Sequence, residues 1–102
     1  MEFLVDSVEE DGKVYCVRGA CTQGSIEVGA TFLQAYKKIR RFFNNEYELI
    51  RTENHRAIAL KVARIIAYRH VLDSLPQGMS GAVYLIGDGG DCISENDTLT
   101  SE

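Results

Sequence analysis

The densest cluster of chemistry-bearing side chains is the run Tyr36-Lys37-Lys38-Ile39-Arg40-Arg41-Phe42-Phe43. Its four cations, set beside aromatic rings, suit a strand of nucleic acid whose phosphates are gripped while its bases stack. The same residues also fit an amphipathic element that buries Ile39 and Phe43 and leaves its cations in water. Phosphate binding by all of the cations on a single strand would give a log–log salt slope of about −3. Lys37, Lys38, Arg40, Arg41, Phe42 and Phe43 are therefore the first candidate binding residues.

Other reactive groups are scattered. Cys16, Cys21 and Cys92 form an odd set with no Cys-x-x-Cys pair, which suggests free thiols in a reducing compartment. In a continuous strand Cys16 and Cys21 would face opposite sides and could not bridge, and all three cysteines read as small buried hydrophobes. No regular ligand spacing joins His55, His70 and Cys92, so no metal site or cofactor is expected. Nothing pairs a thiol with an imidazole as nucleophile and base, and no enzymatic activity is expected. The acidic stretch Val8-Glu9-Glu10-Asp11 fits a solvated hairpin tip or a lure for a basic partner.

The elements that must position these groups read as strands. The chain has 102 residues, the size of a single domain, with 45% apolar and 25% charged residues. A net charge of −4 argues against whole-surface nucleic-acid binding while leaving room for a local basic patch. No apolar run approaches the roughly 20 residues of a membrane span. The start Met1-Glu2-Phe3-Leu4-Val5-Asp6 places acids where a secretory signal would be basic and then apolar, so a cytoplasmic location is expected.

Phe3–Val8 begins a strand, Asp11-Gly12 marks a hairpin turn, and Lys13–Gly19 continues as a second strand. Gly24 and Gly29 punctuate a short extended segment holding Ile26 and Val28. Phe32–Phe43 fits either a strand or a helical stripe, ended by Asn44-Asn45. Glu46–Arg51 fits a strand, and the polar Thr52–Arg56 reads as a loop. Ala57–Arg69 is extended, Asp73–Gly78 forms turns, and Ala82–Ile86 is a strand stopped by Gly87-Asp88-Gly89-Gly90-Asp91. Many short strands between turn residues predict an all-β fold, a small closed antiparallel β-barrel. Residues 1–92 form the barrel domain, and residues 93–102 hold a last short strand and a polar, fraying tail in which Glu95, Asp97 and Glu102 are solvated.

In this order the motifs resemble the second-domain β-barrel of translational GTPases of the elongation factor Tu kind. One block is Val17-Arg18-Gly19-Ala20-Cys21-Thr22-Gln23-Gly24-Ser25-Ile26-Glu27-Val28-Gly29-Ala30-Thr31-Phe32. The other runs from Val62 to Asp73 and on through Gly78-Met79-Ser80-Gly81-Ala82-Val83-Tyr84-Leu85-Ile86-Gly87. The resemblance implies positive φ at Gly24, Gly29 and Gly78, inward-facing Leu72 and Leu85, and an exposed His70. It also implies an insertion or extended hairpin at about residues 36–56.

The phosphate-cradling Gly-x-x-x-x-Gly-Lys-Ser/Thr loop of the GTPase domain is absent from the sequence, so nucleotide hydrolysis is not carried over. Of the polar groups with which the family barrel holds the aminoacylated end of tRNA, Asp6 remains. Ala20 replaces an arginine, and Ser80 an asparagine. Asp6 and Ser80 complete the candidate binding residues. The expected function is a freestanding, non-catalytic interaction module whose partner is another protein. The alternative is an accessory protein of translation that contacts RNA through the basic insertion.

Overall fold

The computed structural model describes residues 1–101. Alternation along the first strand separates inside from outside: β1 (Glu2–Asp11) buries Phe3 and Val5 and turns Leu4 and Asp6 outward. After Gly12, at φ 65°, β2 (Val14–Gln23) returns beside β1, and β3 (Ser25–Glu27) follows the Gly24 turn. Then come β4 (Thr31–Phe43), the 22-residue β5 (Glu46–Ala67), β6 (His70–Leu72), β7 (Ser74–Pro76) and β8 (Ser80–Asp88). A 3₁₀ turn at Gly90–Cys92 leads into β9 (Asp97–Thr100).

Strands pair in the order β4-β9-β1-β2-β8-β5, and β5 pairs again with β4, which closes a six-stranded antiparallel barrel. β6 adds to the end of β5, and a small β3–β7 ribbon pushes Ile26 and Leu75 into the interior. Val17, Phe32, Leu60, Val62, Ile65, Val83, Leu85 and Leu99 fill the rest of the core together with Phe3 and Val5. Each such side chain contributes about 1.5–3 kcal/mol relative to remaining in water. The predicted all-β barrel is the observed fold. Gly24, Gly29 and Gly78 have φ of 72°, 95° and 86°, as their turns require. Leu85 is fully buried, whereas Leu72 is half-buried against the core.

One open reading is settled and three local expectations are corrected. Phe32–Phe43 is strand throughout, and Thr52–Arg56 is the middle of β5 rather than a loop. Together β4 and β5 make an extended hairpin that continues past the barrel, closed by Asn44 and Asn45 at φ 51° and 62°. Positive φ at both central residues defines a type I′ turn, whose twist matches the flanking strands. The tail does not fray between Asp97 and Thr100: these residues are β9, buried between β1 and β4. Glu102 lies outside the described residues. Cys21 is buried, but Cys16 is only partly covered and Cys92 is exposed, so the expectation of three buried thiols holds for Cys21 alone.

Candidate functional site

The basic run lies on the outer half of the hairpin, and the structure divides its cations by task. Lys37 points into the barrel mouth, where its Nζ lies 2.9 Å from Asp97 Oδ1 and donates to Ser94 Oγ at 3.1 Å and to the Glu95 carbonyl at 2.9 Å. Lys38 pairs with Glu2 at 2.5 Å, and the same carboxylate accepts from the Tyr36 hydroxyl at 3.3 Å. Arg41 reaches Glu48 on the opposing strand at 3.3 Å and lies over the Phe43 ring at 5.6 Å. Arg40 is exposed and has no carboxylate partner among the described residues. Of the four cations expected to be solvated, Arg40 and Arg41 are exposed, while Lys37 and Lys38 are partly covered.

Directly opposed residues of a ribbon share a face. Arg41 opposes Glu48 and Phe43 opposes Glu46, while Ile39 opposes Arg51, which itself bonds Glu53 at 2.6 Å. That face is laced with charge. On the other, Phe42 opposes Tyr47 with ring centroids 5.2 Å apart, and Arg40 opposes Leu49. Tyr47 is 75% exposed, Phe42 59% and Leu49 53%, so this is an apolar cluster held in water beside one unpaired arginine. Contrary to the burial expected for an amphipathic element, Phe43 is also exposed.

Asp6 and Ser80, distant in sequence, meet in a second feature, an open groove of about 630 Å³ on the outer barrel wall. Its floor is shallow because neighbouring strands carry small residues in register: Gly19 opposite Gly81, Ala20 opposite Ser80, and Ala82 opposite Arg18. A Cβ on Gly19 would lie 1.9 Å from the Leu4 carbonyl oxygen, so only glycine allows β1 to approach β2 this closely. Two residues further, Asp6 is the extra residue of a bulge between Val5 and Ser7, which turns it out to the groove rim. Tyr68, in left-handed conformation at φ 51°, and Tyr84 stand at the other side. The hydrogen bond with Cys16, then the Cys16 charge and burial, hold the Tyr84 hydroxyl above its ordinary pKa.

A further depression of about 480 Å³ joins the groove to the hairpin: it shares Leu4 and Asn96 with the groove and adds Lys38, Ile39, Arg40 and Thr98. Of the candidate residues, Asp6, Ser80, Lys37, Lys38 and Arg40 thus border one continuous outer surface, while Arg41, Phe42 and Phe43 lie beyond it on the outer hairpin.

Sequence reasoning missed the groups that anchor this surface. Asp97 is completely buried, and Arg56 binds both its oxygens, at 2.8 and 2.9 Å, while donating to the Cys92 carbonyl. The Ser94 N–H adds a bond to Asp97 at 2.9 Å. Burial raises the Asp97 pKa, but the bonds from Arg56, Lys37 and Ser94 outweigh it, and the carboxyl sits below its ordinary value. Arg56 is raised in turn, chiefly by its bond to Asp97. Tyr47 and Leu49 were also missed. Their signal was present: an alternating Glu-Tyr-Glu-Leu stretch just beyond Asn44-Asn45, charge-complementary to the basic run.

His55 stacks on Tyr36 with centroids 5.0 Å apart and contacts Thr52 Oγ1 at 2.7 Å, while His70 is exposed on β6. Among the described residues, no group of three or more His, Cys, Asp or Glu side chains is placed to hold a metal ion. Among the same described residues, no helix is long and apolar enough to cross a membrane. No protein-family model matches the chain, and no curated protein or solved structure matches it either.

Proposed function

We propose that this chain is a non-catalytic protein-binding module that engages its partner through the outer face of the β4–β5 hairpin and the depression at its root. The observation that carries this reading is the division of the hairpin's faces. Ion pairs flanked by Ile39 and Phe43 occupy one, and Phe42, Tyr47, Leu49 and the unpaired Arg40 occupy the other. Exposed aromatic and aliphatic groups beside an arginine have the composition of binding hot spots. Between residues 39 and 55, three arginines are matched by three glutamates, which leaves little net charge to attract a phosphate backbone.

The closed six-stranded antiparallel barrel is compatible with the second domain of translational GTPases, and the meeting of Asp6 and Ser80 in one groove supports the same kinship. On this reading the chain is a relative of that barrel, working in the cytoplasm and without nucleotide hydrolysis of its own.

Affinity capture from native cytosol tests the proposal, comparing wild type with a Phe42→Ala/Tyr47→Ala/Leu49→Ala variant. The wild type is expected to retain a protein partner, insensitive to ribonuclease, that the variant loses. Capture of nothing above background would overturn the reading. Binding abolished by ribonuclease, or RNA carried through purification and lost in high salt, would favour the RNA-contacting alternative.

A further inference from the structure

We propose that the segment bound is an extended stretch of the partner with a carboxylate set among apolar residues, which adds as a strand to the free edge of β4 beside Lys38–Phe43 and continues the line of β9. This rests on the protein-binding reading above and names the class of segment the surface takes.

β9 pairs with β4 only between Gln34 and Lys37. At Asn96 the chain turns away, with φ 70° and its N–H bonded to the Val5 carbonyl at 2.8 Å. From Lys38 to Phe43, β4 has β5 on one side and, among the described residues, no strand on the other. In a two-residue hairpin the residues flanking the turn exchange hydrogen bonds, and the next pair along does not. Phe43 and Arg41 therefore direct their backbone groups toward β5, while those of Phe42 and Arg40 face outward. Unpaired edges of this kind are templates for an added strand.

Charge selects the occupant. β4 from Tyr36 to Phe43 carries four cations and no acid. Lys37, Lys38 and Arg41 already have carboxylates at 2.9, 2.5 and 3.3 Å, which leaves Arg40 to be answered from outside. The depression at the root lies where β9 stops, and Arg40, Lys38 and Asn96 line it. Cross-strand neighbours share a face, so an antiparallel guest sets a carboxylate opposite Arg40 and, two residues earlier, an apolar side chain opposite Phe42. A second copy of this chain fits poorly there. Antiparallel pairing of two β4 edges about Arg40 or Arg41 sets arginines against arginines, and like charges directly opposed are destabilising.

The probe is a capped peptide containing Ile-Val-Thr-Glu-Val-Thr, titrated into the full chain while amide exchange is followed by NMR. Exchange should slow at Arg40 and Phe42 in particular. Arg40→Glu should weaken binding by about tenfold or more, and the peptide with lysine in place of glutamate should recover affinity for that variant. Binding without slower exchange at Arg40 and Phe42 would overturn strand addition, as would no binding at millimolar peptide. If strand addition fails while the Phe42/Tyr47/Leu49 triple variant still loses its cytosolic partner, the hairpin binds protein by its side-chain face alone. If both tests fail, the protein-binding reading falls as well.

Discussion

Asp97 shows how much one side chain can settle. A carboxylate that is fully buried is tolerable only because Arg56, Lys37 and the Ser94 N–H surround it. Its folded pKa lies below the unfolded value of about 3.9, so its contribution is fully present above that pH and fades as pH falls through the folded value. Asp97→Asn should cost about 3 kcal/mol at neutral pH by leaving two cations facing each other. In urea melts across pH, the gap between variant and wild type should close below about pH 4. A gap independent of pH would mean that packing, not charge, sets the cost. Gly19 poses a purely steric case, because an added Cβ meets the Leu4 carbonyl oxygen at 1.9 Å. Gly19→Ala should lower stability by about 3 kcal/mol, measured by denaturation, and should disturb the floor of the Asp6–Ser80 groove. Neither role was legible in the sequence. Asp97 sits in a polar stretch that resembles a tail, and Arg56 is 41 residues away. No local pattern announces a partner at that distance.

The hairpin is two structures in one. Its root supplies barrel staves, with Phe32, Ala35, Ile58 and Leu60 buried, while its outer part buries no large side chain. Replacing residues 40–50 by Asn-Gly should therefore join Ile39 to Arg51 through a two-residue turn and leave the barrel folded. The expected melting temperature stays close to wild type while partner capture is lost. A large fall in melting temperature would show that the outer ribbon supports the barrel. The Asp11-Gly12 hairpin and the glycine turns could be read from the sequence because turn residues with positive φ leave a chemical signature. The Thr52–Arg56 stretch could not, since a ribbon with water on both faces has no reason to alternate apolar with polar residues. Phe32–Phe43 was ambiguous because Ile39 and Phe43 are four apart, a helical spacing; only the complementary strand across Asn44-Asn45 decides it.

At the scale of the whole molecule, barrel closure was legible and the proposed binding surface only in part. Strand number and turn spacing point to a barrel; the convergence of β1, β2, β5 and β8 on one groove depends on registers that a sequence does not display. The thiols give a probe of the closed state. Cys92 is exposed, Cys16 partly covered and Cys21 buried, so a thiol reagent should label them in that order. Cys21 should react only at the rate of global unfolding, followed by mass spectrometry in rising denaturant. Early labelling of Cys21 would mean that the β2 end of the barrel opens on its own.

The position of β9 has a consequence for biosynthesis. It is the stave between β1 and β4, yet it follows the other five barrel strands in sequence. A nascent polypeptide that has left the ribosome only as far as Asn96 holds five of the six staves, with the inner halves of β1 and β4 bare toward each other. Vectorial folding must then wait for its last four-residue strand, and until Asp97–Thr100 emerges that gap is a place for a chaperone to sit.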